Sequence, residues 1–354
     1  MTLPLLSFWK KSGAVTESFP EGKTPLHFSG FEQEYAAAKS GAALFDLSSR
    51  GKIRVSGPDR VLVLHRLLTN DLKSLAPGQG CYAAFLTAQG KIIADLHVYI
   101  LQEEVLLDME AGLEEKLRAA LDRFIITEDV TLQAIGKETV HLSMWGPAVP
   151  EILKKVFGGN PEIMTDHQIQ TAPSGVRILR KNHASCSSFE ILTAADQAVE
   201  TAMALLKQGA LAAGETAYEA LRIEEGIPRY GRDMDESVTL PETGLDRIAA
   251  SETKGCYPGQ EVVARTNTYG GHAQKLVRVE WEASVPAETG TRIYAEGKEA
   301  GRLTSVSPRM INQKAAGLAW LSKPCFDRPD ISLTLETPSG KAGLRQTGSL
   351  PGAV

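Results

Sequence analysis

Tyr82-Ala83-Ala84-Phe85-Leu86-Thr87-Ala88-Gln89-Gly90-Lys91-Ile92-Ile93-Ala94-Asp95-Leu96-His97-Val98-Tyr99-Ile100 is the stretch that decides the fold class. Two β-rich runs, 82–87 and 91–100, flank Ala88-Gln89-Gly90, which has the length and glycine content of a hairpin loop. A hairpin followed by a helical pattern near 112–125 favours α+β over parallel α/β. Successive strand side chains alternate, so Ile92, Ala94, Leu96, Val98 and Ile100 share one face, while Asp95, His97 and Tyr99 share the other with Ile93. Periodicity alone reads the polar face as solvent-facing. A carboxylate beside an imidazole is equally the chemistry of a pocket that acts on an amine or a pterin.

Working outward, 52–55 reads as a short strand. Ser56-Gly57-Pro58-Asp59 supplies turn and helix-start chemistry for the apolar run 61–68, and Thr69-Asn70-Asp71 ends that helix. A similar order recurs, with strands near 140–145, 176–180 and 189–193 and helices after Pro150 and over 196–207, as a diverged duplication would give. Beyond about Gly271 the helical period disappears and short strands (274–282, 292–295, 318–321) alternate with Gly and Pro turns. The expected organisation is two interleaved α+β lobes over 1–270 and a C-terminal β-barrel over 271–354. The stretch 241–272 reads as a long loop crossing between them.

With 354 residues, 43% of them apolar, the chain is an ordinary globular protein and no disordered scaffold. A net charge of −5 gives no general attraction for nucleic acid or anionic membranes. Residues 274–354, with 11 Lys and Arg against 8 Asp and Glu, are mildly basic, which leaves room only for a local tRNA contact. Cys81, Cys186, Cys256 and Cys325 lie far apart with no Cys-x-x-Cys, so no zinc ribbon or redox dithiol is expected, and reduced thiols suit a cytoplasmic protein. No leader pattern opens the chain and no run of about 18 apolar residues occurs. The seven histidines are scattered without His-Glu-x-x-His spacing, so no histidine metal site is expected.

Three positions stand out chemically. In Lys254-Gly255-Cys256-Tyr257-Pro258-Gly259-Gln260-Glu261 a thiol lies between glycines, beside a proline-led turn and two residues from a lysine. A nearby cation favours the thiolate, whereas apolar burial would leave Cys256 a small filler between turns. Phe189-Glu190-Ile191 sets one carboxylate in an apolar strand signal, where a buried charge needs a partner and an exposed one would simply alternate. The amino-pyrimidinone edge of a pterin, with adjacent N–H donors, is such a partner. Arg222 sits on a helix that ends at Gly226, where the plain reading is an ion pair with Glu219 or Glu225.

The string 254–261 matches the Lys-Gly-Cys-Tyr-x-Gly-Gln-Glu signature of the YgfZ family, with Arg265 following. Over about 25–354 the chain also resembles the wider superfamily of the T-protein aminomethyltransferase of glycine cleavage. The resembling stretches are Phe45-Asp46-Leu47-Ser48, Thr69-Asn70-Asp71, 82–99, Phe189-Glu190-Ile191 and Leu221-Arg222-Ile223-Glu224. The resemblance implies a three-lobed ring of duplicated α/β units plus the barrel, with tetrahydrofolate or a one-carbon derivative in the central opening. It implies further that Asp95 stands at the catalytic carboxylate position, Tyr82 at a folate-lining tyrosine, and Glu190 at the pterin-binding glutamate, with Arg222 in a matching stretch. The sequence departs from the transferase pattern at Arg50, at Tyr218 and over 182–188, and it carries Cys256 where the transferases have a Lys-Gly-x-x-x-Gly-Lys-Glu form.

The expected function is therefore that of a folate-binding accessory protein for iron–sulfur cluster assembly or repair. Its partners would be assembly or client proteins, including tRNA-modifying enzymes, and its working residue would be Cys256, tuned by Lys254. The alternative is a tetrahydrofolate-dependent aminomethyl or methyl transferase in which Asp95 assists proton movement.

Overall fold

The computed structural model describes residues 4–19, 22–183, 186–269, 271–328, 331–348 and 350. Ala184 and Ser185 of the departing stretch lie outside the described residues. The chain divides into two compact units: Met1–Leu67, Asp71–Ala83 and Leu96–Tyr218 form one, and Leu68–Asn70, Ala84–Asp95 and Glu219–Val354 form the other. This division differs from the expected boundary near 270. The chain from Glu219 onward groups with the barrel, as do the tip of the 82–100 hairpin and the three-residue segment that follows helix Arg60–Leu67.

Two sheets carry the same local topology. In the first, strand Gly51–Ser56 leads through helix Arg60–Leu67 to strands Gly80–Leu86, Ile92–Ile100 and Glu104–Met109, then helix Glu114–Asp122. The first of these four strands in the chain lies beside the last, and strand Thr131–Ala134 adds an edge. In the second, strand Thr139–Trp145 leads through helix Val149–Phe157 to strands Ile169–Thr171, Arg177–His183 and Cys186–Ala194, then helix Ala198–Lys207. Again the first strand lies next to the fourth, and Ala43–Asp46 and Leu211–Ala212 extend the other side. The expected duplication is visible as this shared strand order.

Each sheet buries one face under its helices. In the second sheet Leu142, Met144, Ile178, Phe189 and Ile191 pack with Val149, Leu153, Ala202 and Leu205 of the helices and with Trp9. Trp9 donates its indole N–H to Asp46 Oδ2 at 2.7 Å, which gives a buried carboxylate the partner it requires.

The C-terminal strands Gln274–Trp281, Arg292–Ala295, Lys298–Val306, Ala315–Ser322, Leu333–Thr337 and Gly340–Gly348 close into a six-stranded barrel. Its interior is filled by residues such as Val277, Val279, Trp281, Ile293, Leu303, Leu321 and Leu335. Closure leaves no strand edge unpaired, which is how a small sheet escapes edge-to-edge association.

The stretch 241–272 corrects the sequence reading, because it holds helices Leu240–Thr243, Asp246–Ala249 and Gln260–Tyr269. The first is closed by a capping box between Thr239 and Glu242. The third, Gln-Glu-Val-Val-Ala-Arg-Thr-Asn-Thr-Tyr, is rich in β-branched residues of modest helix propensity, so its period is hard to read; burial of Val263 supplies what propensity does not.

Candidate functional site

Strand register in the first unit builds a polar row on each sheet. Asp108 is the direct partner of Lys52 on one side and of His97 on the other, so these three side chains share a face. In the second sheet Glu190 pairs with Ser143 and with Leu179, two residues from Lys181, while His141 pairs with Leu192. Glu190, Ser143, His141 and Lys181 therefore also share one face.

The two rows meet. Lys181 Nζ donates to Asp108 Oδ2 at 3.2 Å and stands 3.8 Å from Glu190 Oε1. His141 places Nε2 2.8 Å from Glu190 Oε2 and Nδ1 3.6 Å from Asp108 Oδ1. Ser143 Oγ donates to Glu190 Oε1 at 3.1 Å and accepts the Trp145 indole N–H at 3.0 Å. Arg50 forks onto Asp108, with Nε at 3.0 Å and Nη2 at 3.3 Å, and also pairs with Glu110. Lys52 Nζ donates to the Arg50 carbonyl at 2.7 Å. An apolar layer of Tyr99, Leu106, Ile135, Ile169, Leu179 and Leu192 continues the same interface.

Burial and charge pairing compete across this layer. Burial alone would raise the Asp108 carboxyl, but Arg50 and Lys181 hold it well below the usual carboxylate range. Glu190, only 3% exposed, is likewise opposed by burial, yet Lys181 and the His141 hydrogen bond bring it down to about 2. Burial lowers the His141 imidazole and brings Lys52 down to about 8. An ionised Glu190 can only accept, which assigns the shared hydrogen to His141 Nε2. His141 Nδ1 is then a buried nitrogen with no hydrogen-bond partner among the described residues.

Of these residues, sequence reasoning singled out Glu190 and missed Lys52, Asp108, His141 and Lys181. Strand Glu104–Met109, which carries Asp108, was not expected at all; it follows the hairpin as Glu-Val-Leu-Leu-Asp-Met, too short a run to declare itself. The signal for His141 was present in the alternation His141-Leu142-Ser143-Met144.

Tyr82 is half-buried, with its ring centroid 5.0 Å from that of His97. His97 Nδ1 lies 3.1 Å from His167 Nε2, and His167 Nδ1 lies 3.0 Å from Asp166 Oδ2. Histidines scattered in sequence thus pair in space, at a separation of 70 residues. The solvent-facing expectation for the polar side of strand Ile92–Ile100 is corrected, since Tyr99 is fully buried and Asp95 is 9% exposed. Alternation distinguishes two faces without saying which meets water; here His97 and Tyr99 look into the layer between two sheets.

The second unit carries the cysteine motif. Cys256 is exposed. Lys254 is buried and donates its ammonium to the carbonyls of Leu68 and Asn70, the latter at 3.3 Å, while lying 5.1 Å from the centroid of the Tyr257 ring. These contacts pin the loop, and they differ from the expected role of tuning the thiol. The two glycines are not equivalent. Gly259 has φ +81°, and a Cβ there would lie 2.6 Å from the Thr87 carbonyl oxygen, whereas a Cβ on Gly255 would meet nothing. Tyr257 is buried, its hydroxyl pushed up to about 12 by burial and by Asp246. Gln260 opens helix Gln260–Tyr269 and Glu261 sits exposed in its first turn, where a carboxylate suits the helix dipole. Beyond Tyr257 lies a cleft of about 490 Å³, bordered by Asp246, Arg247, Glu252 and Gln260.

Arg222 is 1% exposed, and all five of its N–H donors are engaged. Nε and Nη2 fork onto Glu219 at 3.1 and 2.7 Å, Nη1 reaches Asp233 at 2.8 Å and the Ile227 carbonyl at 3.2 Å, and Nη2 also reaches Ser305 Oγ at 2.7 Å. This corrects its expected cofactor-binding role, since no donor is left for a ligand. The plain reading of an ion pair with Glu219 is the one that forms, within helix Glu215–Glu224, while the bond to Ser305 ties Arg222 to barrel strand Lys298–Val306.

A pair of sheets with equivalent strand order, followed by a closed barrel, is the architecture of the glycine-cleavage T-protein. The structure matches that of the glycine cleavage system aminomethyltransferase T from Bartonella henselae with a TM-score of 0.89, covering 99% of this chain and 98% of that one, at 23% identity. The sequence profile of the GCVT N-terminal domain matches residues 5–253, and the chain belongs to that family. It is 30% identical over 326 residues to an aminomethyltransferase of Geobacillus kaustophilus, covering 89% of each. It is also 31% identical over 306 residues to a provisionally named chloroplastic transferase of Arabidopsis thaliana, covering 84% of this chain and 69% of that one.

The family binds tetrahydrofolate as its one-carbon carrier. The acceptor chemistry of Glu190 fits the N–H edge of that cofactor, because each carboxylate oxygen has two lone pairs and so retains one beyond its hydrogen bond from His141 or Ser143. Among the described residues no group of three or more His, Cys, Asp or Glu side chains is placed to hold a metal ion, and no helix is long and apolar enough to cross a membrane.

Proposed function

We propose that this chain binds tetrahydrofolate and serves folate-dependent one-carbon transfer of the aminomethyl or methyl kind. The observation that carries this reading is the Glu190 carboxylate, buried yet held ionised by Lys181 and His141, in a family of aminomethyltransferase-like proteins. Tetrahydrofolate, when bound, supplies the amine that accepts the one-carbon unit. Glu190 accepts the N–H donors of the pterin edge, Tyr82 lies along the ring, and Asp95 would relay the proton shed by the accepting folate amine to the amine that leaves. The test is turnover with an aminomethyl donor: Asp95→Asn abolishes tetrahydrofolate-dependent amine release if the reading holds, and undiminished release in that variant refutes it.

A second reading is favoured by one observation, the exposed Cys256 on a loop pinned by Lys254 and Gly259. An accessible thiol suits the YgfZ-type role in iron–sulfur cluster assembly or repair, in the cytoplasm, with cluster enzymes as clients and a tRNA contact confined to the mildly basic barrel. Loss of cluster-enzyme activity in a Cys256→Ala strain, with folate binding intact, supports it. Full client activity in that strain leaves the transferase reading alone.

A further inference from the structure

Resting on the folate reading, one feature of the buried layer predicts which pterins the protein accepts. A pterin that offers its 2-amino and N3–H groups to a carboxylate carries the 4-position substituent immediately beyond N3. In folates that substituent is a carbonyl oxygen. In neutral 4-amino analogues it is an amino group, a donor, and N3 has lost its hydrogen, so Glu190 and the group beyond it both meet the wrong partner.

Lys181 is placed to read this difference. Its ammonium stands 3.8 Å from Glu190 Oε1, outside hydrogen-bond length but beside the oxygen that would receive one of the two pterin N–H groups. It is held there from the other side by Asp108 Oδ2 at 3.2 Å, which is itself fixed by the Arg50 fork. An ammonium carries three N–H donors and no acceptor, so it welcomes a carbonyl and repels an amino group. The other groups facing this point are Ser143 Oγ, which already donates to Oε1, and His141 Nε2, which donates to Oε2. In the reversed orientation of the ring the 4-substituent would face His141 Nε2–H, again a donor. His141, Ser143 and Lys181 thus all turn donors towards the Glu190 carboxylate.

We propose that Lys181 is a specificity-determining residue that makes the Glu190 site select 4-oxo over 4-amino pterins, by donating to the 4-oxygen of the bound ring. Discrimination of this kind is steep, because the wrong analogue leaves two donors facing each other in a dry site.

The experiment is a calorimetric titration of the full chain with tetrahydrofolate and with its 4-amino-4-deoxy analogue, at a pH where both rings are neutral, repeated with Lys181→Met. The wild type is expected to bind tetrahydrofolate at least roughly tenfold more tightly than the 4-amino analogue, and Lys181→Met to narrow that ratio at least roughly threefold, the remainder being the mismatch of the unprotonated N3 with Glu190. Equal affinity of the wild type for the two ligands overturns the inference without any variant, so a failure of Lys181→Met to fold does not protect it. A preference that survives unchanged in a folded Lys181→Met also overturns it, while leaving the folate reading intact. No binding of either ligand to the wild type overturns the folate reading and the inference with it.

Discussion

The Lys181 ammonium reaches across from the second sheet to the Asp108 carboxylate of the first, at 3.2 Å. Both groups are buried, and Arg50 closes on the same carboxylate from its own sheet. A single anion therefore neutralises cations from two sheets. Removing it leaves Arg50 and Lys181 buried without their shared partner, and Asp108→Ala is expected to lose about 3–5 kcal/mol of unfolding free energy, as for other broken buried pairs. Chemical denaturation measures this; a loss below about 1 kcal/mol would show the layer to be hydrated and loosely coupled.

Glu190 gives a pH dependence with a definite sign. Its folded-state pKa, about 2, lies below the ordinary 4.5. The stabilisation is thus present above pH 4.5 and is lost as pH falls towards 2, a component of about 3 kcal/mol. In Glu190→Gln the acid limb of the stability curve is expected to flatten by up to one proton, as read from denaturant midpoints taken between pH 5 and 2.

Lys52 acts in the opposite sense. Burial lowers its ammonium from 10.5 to about 8, so between those values the unfolded chain holds more protons than the folded one. Stability carried by this group rises with pH across that window, and Lys52→Met is expected to remove the rise. Thermal midpoints at pH 7.5, 9 and 10 would check it.

Gly259 fixes the approach to the cysteine loop. A side chain there would combine a left-handed backbone with a Cβ 2.6 Å from the Thr87 carbonyl, so Gly259→Ala is expected to destabilise by about 2 kcal/mol or more. Gly255→Ala, where a Cβ meets nothing, is expected to stay within about 0.5 kcal/mol of the parent. Equal effects of the two changes in denaturation would contradict the assignment of distinct roles.

How much of this was readable from the residues depends on the range of the interaction. The 82–100 hairpin, the repeated strand and helix order and the barrel rest on local period and turn chemistry, and they appear where expected. Glu190 was legible as a charge inside an apolar strand. Its partners were not, because His141 lies 49 residues away, and Asp108 meets Lys181 across 73 residues on a strand with no strong local signature. Helix Gln260–Tyr269 escaped for a different reason: its residues favour strand or turn locally, and packing overrides them. The burial of Lys254 was likewise invisible, since the carbonyls that hold it belong to residues 68 and 70.

Titration of the purified chain with tetrahydrofolate, alongside Glu190→Ala, tests the central claim most directly. Saturable one-to-one binding by the parent that falls at least roughly tenfold in a folded Glu190→Ala is the predicted result, as for loss of a charged hydrogen-bond acceptor. Equal binding by both proteins, or none by the parent, would contradict a pterin seated on that carboxylate.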